Sequence, residues 1–344
     1  MNSVFSYSDK LRFDRLCETF AINFKVTQLY SAYLEHCPEI ITKDMIDTLT
    51  ADGSIELTDA IPALLGEIFG LDTENNKTHR QIMREYIMPS VRILNAKKYT
   101  QNPYYKNVKL PDIKDGSWEL KNEKYPAFRA VICGDMIINP DFSEIPPLGF
   151  FTEDFEFPAV LENGNEWMTL TPVDLDTCEE AINLAHGKVV TFGLGLGYYA
   201  YMVSEKDDVT SITVVEKSEK VIELFKKYIL PNFSHPEKVR IVNADAFEYA
   251  EEQMPKENFT LAFVDTWRDA SDGAPMWARM KKLEHLSKST KFLYWIENFL
   301  ISRRRALKFA DIKEAYDNGK LNTGYEQIVE QLTKEEHLAK DAFL

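Results

Sequence analysis

The segment GKVVTFGLGLGYY contains three glycines at alternate positions, directly after a run of β-branched residues. They are Gly193, Gly195 and Gly197, and the whole chain of 344 residues contains only 14 glycines. Because each glycine costs backbone entropy on folding, three together need a steric reason, such as a tight turn or a ligand that lies against the main chain. Backbone N–H groups at the start of the next helix would then bind that ligand.

Acidic residues follow three other apolar runs. Glu216 ends the run SITVVE and lies nineteen positions after Gly197, where a carboxylate accepts hydrogen bonds from ribose hydroxyls in nucleotide-binding sheets. Asp245 and Ala246 follow the run KVRIVN, and Asp265 follows the run FTLAFV. The residues alone therefore predict a ligand that resembles a nucleoside.

A regular alternation of strands and helices would position these residues. The runs KVVTF, SITVVE, KVRIVN, FTLAFVD and KFLYWIEN predict five strands, and helical segments separate them. Continuous apolar runs that are separated by helices predict a parallel sheet covered on both faces. In such a sheet ligands bind at the carboxyl ends of the strands, near the point where the strand order reverses. All the candidate residues would lie at that edge.

The residue after the third glycine separates the possible cofactors. A nicotinamide or flavin fingerprint, GxGxxG, needs a small residue at position 198, where this chain has Tyr198. The pattern GxGxG, followed by acidic residues at successive strand ends, resembles the class I S-adenosylmethionine-dependent methyltransferases. The resemblance covers roughly residues 171–300. It implies a Rossmann-like, doubly wound and mostly parallel sheet, with S-adenosylmethionine as the cofactor.

The resemblance also implies a role for each candidate. Glycine-loop residues would pack against the amino-acid part of the cofactor, Glu216 would hold the ribose, and Asp245 would face the adenine amino group. Asp265 would lie near the methyl group and is the candidate catalytic residue, as a general base where the acceptor carries a proton. The implied cofactor-binding residues are Gly193, Gly195, Gly197, Glu216, Asp245 and Ala246.

Two alternatives to methyl transfer remain open. The order of elements also resembles spermidine synthase, an aminopropyltransferase, and a non-catalytic nucleoside-binding protein is the second alternative. Spermidine synthases carry aspartates at the positions that match Leu196 and Arg268. Because carboxylates there would pair with cationic amines, their replacement predicts a small-molecule acceptor that is neutral or anionic.

Composition narrows the class of protein further. A formal net charge of −15 disfavours nucleic acid, whose phosphates need clustered Lys and Arg. The six histidines show no metal-ligand spacing, so we predict no metal site. The start of the chain has no apolar signal-peptide core and no apolar run is long enough to span a bilayer, which predicts a cytoplasmic protein without a membrane segment. Cysteines are scattered, which disfavours disulfides: Cys17, Cys37, Cys133 and Cys178.

The predicted fold is therefore α/β, with an N-terminal helical domain and a β-hairpin that leads into the sheet domain. We expect a helical domain at 1–100, a linker and hairpin region at 101–170, the S-adenosylmethionine-binding domain at 171–310, and a helical segment at 311–344. The hairpin turn is predicted at Asn163 and Gly164. The segment SRRR, residues 302–305, is most simply a solvated helix face. After the fifth strand the remaining residues read as helices and offer no obvious counterpart to the sixth and seventh strands of the family, so either the sheet is shorter or an earlier segment completes it.

Overall fold

A computed structural model gives the structure and describes residues 5–340. Its helices are α1 (Tyr7–His36), α2 (Lys43–Thr50), α3 (Leu57–Ile68), α4 (Lys77–Ile82), α5 (Met88–Ser90), α6 (Ala96–Thr100), α7 (Pro103–Asn107), α8 (Pro172–Leu184), α9 (Tyr198–Ser204), α10 (Glu219–Leu224), α11 (Ala246–Glu252), α12 (Ala270–Lys281), α13 (Glu297–Asp317), α14 (Tyr325–Thr333) and α15 (Glu335–Leu338). Its strands are β1 (Val91–Leu94), β2 (Ile113–Asp115), β3 (Trp118–Tyr125), β4 (Ala130–Ile132), β5 (Ile137–Ile138), β6 (Glu144–Ile145), β7 (Leu148–Phe151), β8 (Phe155–Glu162), β9 (Asn165–Thr169), β10 (Gly187–Phe192), β11 (Val209–Glu216), β12 (Val239–Asn243), β13 (Leu261–Val264) and β14 (Lys291–Tyr294). None of the described helices combines the length and apolarity needed to cross a bilayer.

The chain divides into two compact units. The first comprises the described parts of 1–94, 126–153 and 298–344, and the second comprises 95–125 and 154–297. Because each unit is assembled from separated stretches, its limits differ from the continuous ranges predicted from the sequence. Independent folding of those predicted ranges stays a prediction.

A five-stranded parallel sheet forms the centre of the second unit. Its strand order is β12-β11-β10-β13-β14, and all four pairings are parallel. Along the chain, β11 and β12 are added on one side of β10, and β13 and β14 are then added on the other side. The strand order therefore reverses between β10 and β13. This confirms the predicted Rossmann-like, doubly wound sheet. In the part of the chain that the structure describes, only helices follow β14, as expected.

A four-stranded antiparallel sheet precedes this domain in the same unit. Its order is β2-β3-β8-β9, and β8 and β9 form the predicted hairpin. Asn163 and Gly164 at the turn have φ angles of 53° and 80°. Positive φ at both central residues is typical of the turn that matches the twist of a tight hairpin, and Asn-Gly is its preferred sequence.

Helices dominate the first unit, but one segment differs from the sequence-based expectation. Residues 91–94 (VRIL) do not continue the helical pattern before them. They form β1, whose Val91 lies opposite Leu148 of β7 in parallel pairing. Pairing with β7 therefore decides the conformation of this segment, and the β-branched Val91 and Ile93 favour it.

The SRRR segment was predicted to be solvent-exposed, and for two of its arginines this is wrong. Arg304 and Arg305 are 7% and 6% exposed. Their Nε atoms donate hydrogen bonds of 2.8 Å to the carbonyl oxygens of Leu338 and Leu332, at the ends of α15 and α14. Carbonyls at a helix C-terminus lack intrahelical partners and attract cations, which explains why these charges are buried.

Candidate functional site

A cavity of about 540 Å³ lies in the second unit at the carboxyl ends of the parallel strands. Residues that follow all five strands contribute to its wall. Six of the seven residues predicted from the sequence line it: Gly193, Gly195, Glu216, Asp245, Ala246 and Asp265. The strand-order reversal between β10 and β13 lies at its centre, which is the expected position of a ligand in an open α/β sheet.

Gly193 and Gly197 are required by the protein's own packing. A Cβ atom on Gly193 would overlap the backbone carbonyl oxygen of Asp265, so the glycine allows the ends of β10 and β13 to approach. A Cβ atom on Gly197 would overlap the ring of Phe225, and Gly197 does not line the cavity. Gly197 has a φ of 74° and precedes the first residue of α9. Each of these glycines therefore has a structural reason that needs no ligand.

Gly195 is different from both of its neighbours. Its φ is 53°, yet the nearest atom to a Cβ at this position would be the sulfur of Met168, 3.9 Å away. Nothing in the described protein fills the space beside its backbone. Among the three glycines, this is the position at which a ligand can lie against the main chain.

Glu216 ties the glycine loop to the next helix. Its Oε2 accepts a hydrogen bond of 3.2 Å from the Leu194 N–H, and its Oε1 accepts one of 2.8 Å from the Ser218 N–H. An ionised carboxylate has about four acceptor sites, so the two oxygens can still accept bonds from a ligand. The carboxylate is therefore held in place by backbone donors while it lines the cavity.

Asp245 caps α11 and also lines the cavity. Its Oδ1 accepts hydrogen bonds of 2.9 Å from the Phe247 N–H and 3.2 Å from the Glu248 N–H. No donor from residues 5–340 bonds its Oδ2. The structural role as a cap and the predicted contact with a ligand are thus compatible, because they use different oxygens. Ala246 is the first residue of α11.

Asp265 lies next to a second carboxyl group that the sequence did not single out. That group belongs to Asp174, near the start of α8, whose Oδ2 accepts bonds of 2.8 Å and 2.9 Å from the N–H and hydroxyl of Thr171. Burial, with smaller effects from the charges of Asp174 and Glu216, raises the pKa of Asp265 to about 8. Burial likewise raises the pKa of Asp174 to about 6.

These pKa values decide what Asp265 can do. With a pKa of about 8 its carboxyl group carries a proton at pH 7. A protonated carboxyl group can donate a hydrogen bond to a ligand. A pKa close to the working pH is also what general acid–base catalysis needs, so the general-base role stays a prediction beside that of a hydrogen-bond donor.

Hydrogen-bond donors in the wall form a group that the sequence did not predict. Six buried side-chain polar atoms lack a partner in the described part of the chain, and four belong to residues of this wall. They are the hydroxyls of Tyr199 and Thr266 and the indole N–H groups of Trp267 and Trp295. Since Trp295 directly follows β14, the strand-end rule could have found it. Buried polar atoms without partners are rare and point to a ligand or water.

Charge in the wall is strongly one-sided. Its cationic residues are Lys217 and Arg268. Its acidic residues are Glu166, Asp174, Glu216, Asp245 and Asp272, together with Asp265, which its raised pKa keeps largely protonated at neutral pH. The cavity therefore disfavours a ligand with net negative charge.

The two positions that separate this chain from spermidine synthases differ in exposure. Leu196 is 4% exposed and lines the cavity. The side chain of Arg268 is 77% exposed, and its Nε lies 3.9 Å from the Oδ2 of Asp272. The charge of Arg268 therefore lies largely in solvent, which weakens its contribution to the choice of acceptor.

Comparison with known proteins finds remote similarity to solved structures. No protein-family model matches the chain, and no curated protein is similar to it. Among solved structures, spermidine synthase from Thermotoga maritima is 18% identical with a TM-score of 0.31, and the match covers 53% of this chain and 64% of that one. A spermidine synthase in complex with the transition state analogue AdoDATO is 18% identical with a TM-score of 0.30 and the same coverage. The match thus spans less than two thirds of the spermidine synthase chains.

Strand order, parallel pairing and the position of the cavity define the class of this chain. It is an α/β protein with a Rossmann-like, doubly wound parallel sheet.

Proposed function

We propose that this chain is an S-adenosylmethionine-dependent methyltransferase that acts on a small molecule. One observation carries the proposal: Gly195, Glu216 and Asp245, which follow three adjacent strands of the parallel sheet, line a single cavity. Free space beside a backbone, a carboxylate for ribose hydroxyls and a carboxylate for an amino group are the contacts that an adenosine ligand needs.

The residues present suit the cofactor. Open space beside Gly195 and the unpartnered Oδ2 of Asp245 leave room and an acceptor for it. A volume of about 540 Å³ is also within the range of small-molecule sites. When bound, S-adenosylmethionine would supply a methyl group on a sulfonium whose departure as a neutral thioether makes the transfer favourable.

The role of the protein would be to bind and align. Glu216 and Asp245 would fix the nucleoside, and ionised carboxylates in the wall would stabilise the positive sulfonium. The protonated Asp265 would orient the acceptor at the end of β13. Holding two reactants in line supplies much of the acceleration for a displacement whose leaving group is already activated.

A second candidate is aminopropyl transfer, as in spermidine synthases. It is favoured by the excess of carboxylates in the wall, since carboxylates bind cationic amines. It is disfavoured by Leu196, because an apolar side chain cannot bind an ammonium group. A nucleoside-binding protein without catalysis is distinguished from both by binding without turnover.

Titration calorimetry tests the proposal. We expect heat of binding with S-adenosylmethionine and with S-adenosylhomocysteine, and none with NAD. Binding of NAD alone would contradict it, since Tyr198 stands where a dinucleotide-binding loop needs a small residue. Decarboxylated S-adenosylmethionine, added to the same series of calorimetric titrations, compares the methyltransferase with the aminopropyltransferase.

A further inference from the structure

One end of the cavity is formed by the segments that follow β13 and β14. In the sheet, Val264 lies opposite Tyr294, so Asp265 and Trp295 begin neighbouring segments. The backbone N–H of Trp295 donates a bond of 3.0 Å to the carbonyl of Val264, which fixes the two segments to each other. The ring of Trp267 stacks on Tyr294 with centroids 6.3 Å apart. The ring of Trp267 and the backbone of Trp295 therefore lie at one corner of the wall, and both residues line the cavity.

The indole N–H groups of this corner have no protein partner. Trp267 is only 6% exposed, and its Nε1 and that of Trp295 find no acceptor among residues 5–340. A third tryptophan of the same unit, Trp277, shows the usual arrangement: its Nε1 donates a bond of 2.9 Å to Glu297. An indole N–H can donate but not accept, so each free group needs an acceptor atom from a ligand or water.

Backbone strain coincides with the same corner. Ile296, the residue after Trp295, has a φ of 47° and is 6% exposed. The left-handed region is unfavourable for a β-branched side chain, and such strain is concentrated at functional sites. The chain holds this strain where it positions Trp295 against the cavity.

Charge restricts what can bind these donors. An anion is disfavoured by the carboxylates of the wall, which include Asp174 and Asp272. An ammonium group could not satisfy the indoles, because both partners would be donors. The burial that keeps Asp265 protonated adds a third donor to the corner.

We propose that Trp267 and Trp295 bind, through their indole N–H groups, oxygen atoms of an uncharged methyl acceptor. This deepens the proposed function and rests on it: the pair would determine which acceptor lies beside the cofactor. The expectation of a neutral or anionic acceptor is thereby narrowed to a neutral one.

Nuclear magnetic resonance of the indole N–H signals tests this on the unsubstituted chain. The chain has five tryptophans, and selective ¹⁵N labelling with single Trp→Phe variants assigns them. We would titrate three probes of similar size, benzamide, benzoate and benzylammonium, with and without saturating S-adenosylhomocysteine. Benzamide should shift the signals of Trp267 and Trp295 and leave that of Trp277 unchanged. A larger response to benzoate or benzylammonium, or no response to any probe, would overturn the proposal.

Variants that keep an aromatic side chain and remove the indole N–H provide a second measurement. Trp267→Phe and Trp295→Phe should each weaken benzamide binding by about tenfold, the effect of one lost hydrogen bond. The matched control is Trp118→Phe, a buried tryptophan of the same unit outside the cavity, which should bind as the unsubstituted chain does. Unchanged affinity in both cavity variants would overturn the proposal.

The two proposals fail in different ways. If S-adenosylhomocysteine gives no heat of binding, the methyltransferase proposal fails whatever the indoles do. If it binds with normal affinity to Trp267→Phe and Trp295→Phe while benzamide binding is unaffected, only the role of the indole pair fails. The titration on the unsubstituted chain remains decisive if a variant does not fold.

Discussion

Glu144 in the first unit and Asp265 in the second are both carboxyl groups whose pKa is raised chiefly by burial. Glu144 is fully partnered: Ser302 donates a bond of 2.6 Å to its Oε2, and Arg305 one of 3.0 Å to its Oε1. No side-chain hydrogen bond from residues 5–340 reaches the carboxyl group of Asp265. Its nearest ionisable influences are the like charges of Asp174 and Glu216.

This contrast separates a structural use of a buried acid from a functional one. At Glu144 the ion pair and hydroxyl offset the loss of hydration, and the group joins β6 to α13. At Asp265 no partner from residues 5–340 offsets the loss of hydration, so the ionised form of this carboxyl group is destabilised beside the cavity. Ionisable groups with strongly shifted pKa values cluster at functional sites for this reason. Removal of the two groups should therefore change stability in opposite directions.

The largest effect is expected for Glu144→Ala. It would leave the guanidinium of Arg305, itself only 6% exposed, without its anionic partner. Removing one partner of a buried pair costs about 3–5 kcal/mol of the free energy of unfolding. Urea denaturation measures this, with Glu144→Gln as the control that keeps a hydrogen-bond acceptor and should lose less. A loss below about 1 kcal/mol, the range of exposed pairs, would contradict a structural role.

The next effect compares two glycines of one loop. In Gly193→Ala the new methyl group would overlap the carbonyl oxygen of Asp265, so β10 and β13 must separate and the melting temperature should fall steeply. In Gly195→Ala there is space, and only the positive φ costs about 1–2 kcal/mol. That variant should fold and bind S-adenosylhomocysteine more weakly. Equal melting temperatures for the two variants would show that packing does not distinguish these glycines.

The order of elements in the sheet domain could be predicted because strands and helices there obey local patterns. The same rule placed Glu216, Asp245 and Asp265 at one edge, since parallel strands end together. It could not identify Asp174, which precedes the sheet and looks in sequence like an ordinary helix start. Nor could it show that Arg304 and Arg305 are buried, because their acceptors are carbonyls about 30 residues away along the chain.

A third prediction concerns Glu216, the carboxylate at the end of β11 that accepts a hydrogen bond from the glycine loop. Glu216→Ala should weaken S-adenosylhomocysteine binding roughly tenfold to a hundredfold, the effect of a hydrogen bond to a charged group. Calorimetry measures the change, and Glu219→Ala is the matched control, since Glu219 is exposed on α10 and outside the cavity. The same loss of affinity in both variants would point to a general effect on α10 instead of a contact with ribose.

A further effect depends on pH. The pKa of Asp265 is raised from 3.8 to about 8 in the folded chain, so its contribution to stability is fully present below pH 4. That contribution is lost as the pH rises from about 4 to about 8, because the unfolded state ionises first. Asp265→Asn cannot ionise, so its melting temperature should exceed that of the unsubstituted chain at pH 8.5 by a few degrees and match it near pH 4. A variant that is less stable at pH 8.5 would mean that the ionised carboxylate has a partner.

The smallest effect is expected for polyamine synthesis, where we predict no turnover at all. The glycine loop presents the apolar Leu196 where an ammonium group would need a carboxylate. A shifted loop could place Asp269 at the second position, where spermidine synthases carry the aspartate that matches Arg268, but its Oδ1 accepts a bond of 2.6 Å from the Ser271 N–H, and it caps α12. Asp272 does line the cavity, yet it accepts bonds of 3.0 Å and 3.3 Å from the N–H groups of Asp269 and Arg268.

Asp269 thus lies outside the cavity wall, and in Asp272 both carboxylate oxygens already accept bonds from backbone N–H groups, so neither supplies the carboxylates missing at Leu196 and Arg268. Incubation with putrescine and decarboxylated S-adenosylmethionine should release no methylthioadenosine, with an authentic spermidine synthase as the positive control. Efficient release would mean that the acidic wall binds a diamine without carboxylates at the positions of Leu196 and Arg268. In that case the chain would be an aminopropyltransferase, and the indole pair would lie beside a cation that it cannot recognise.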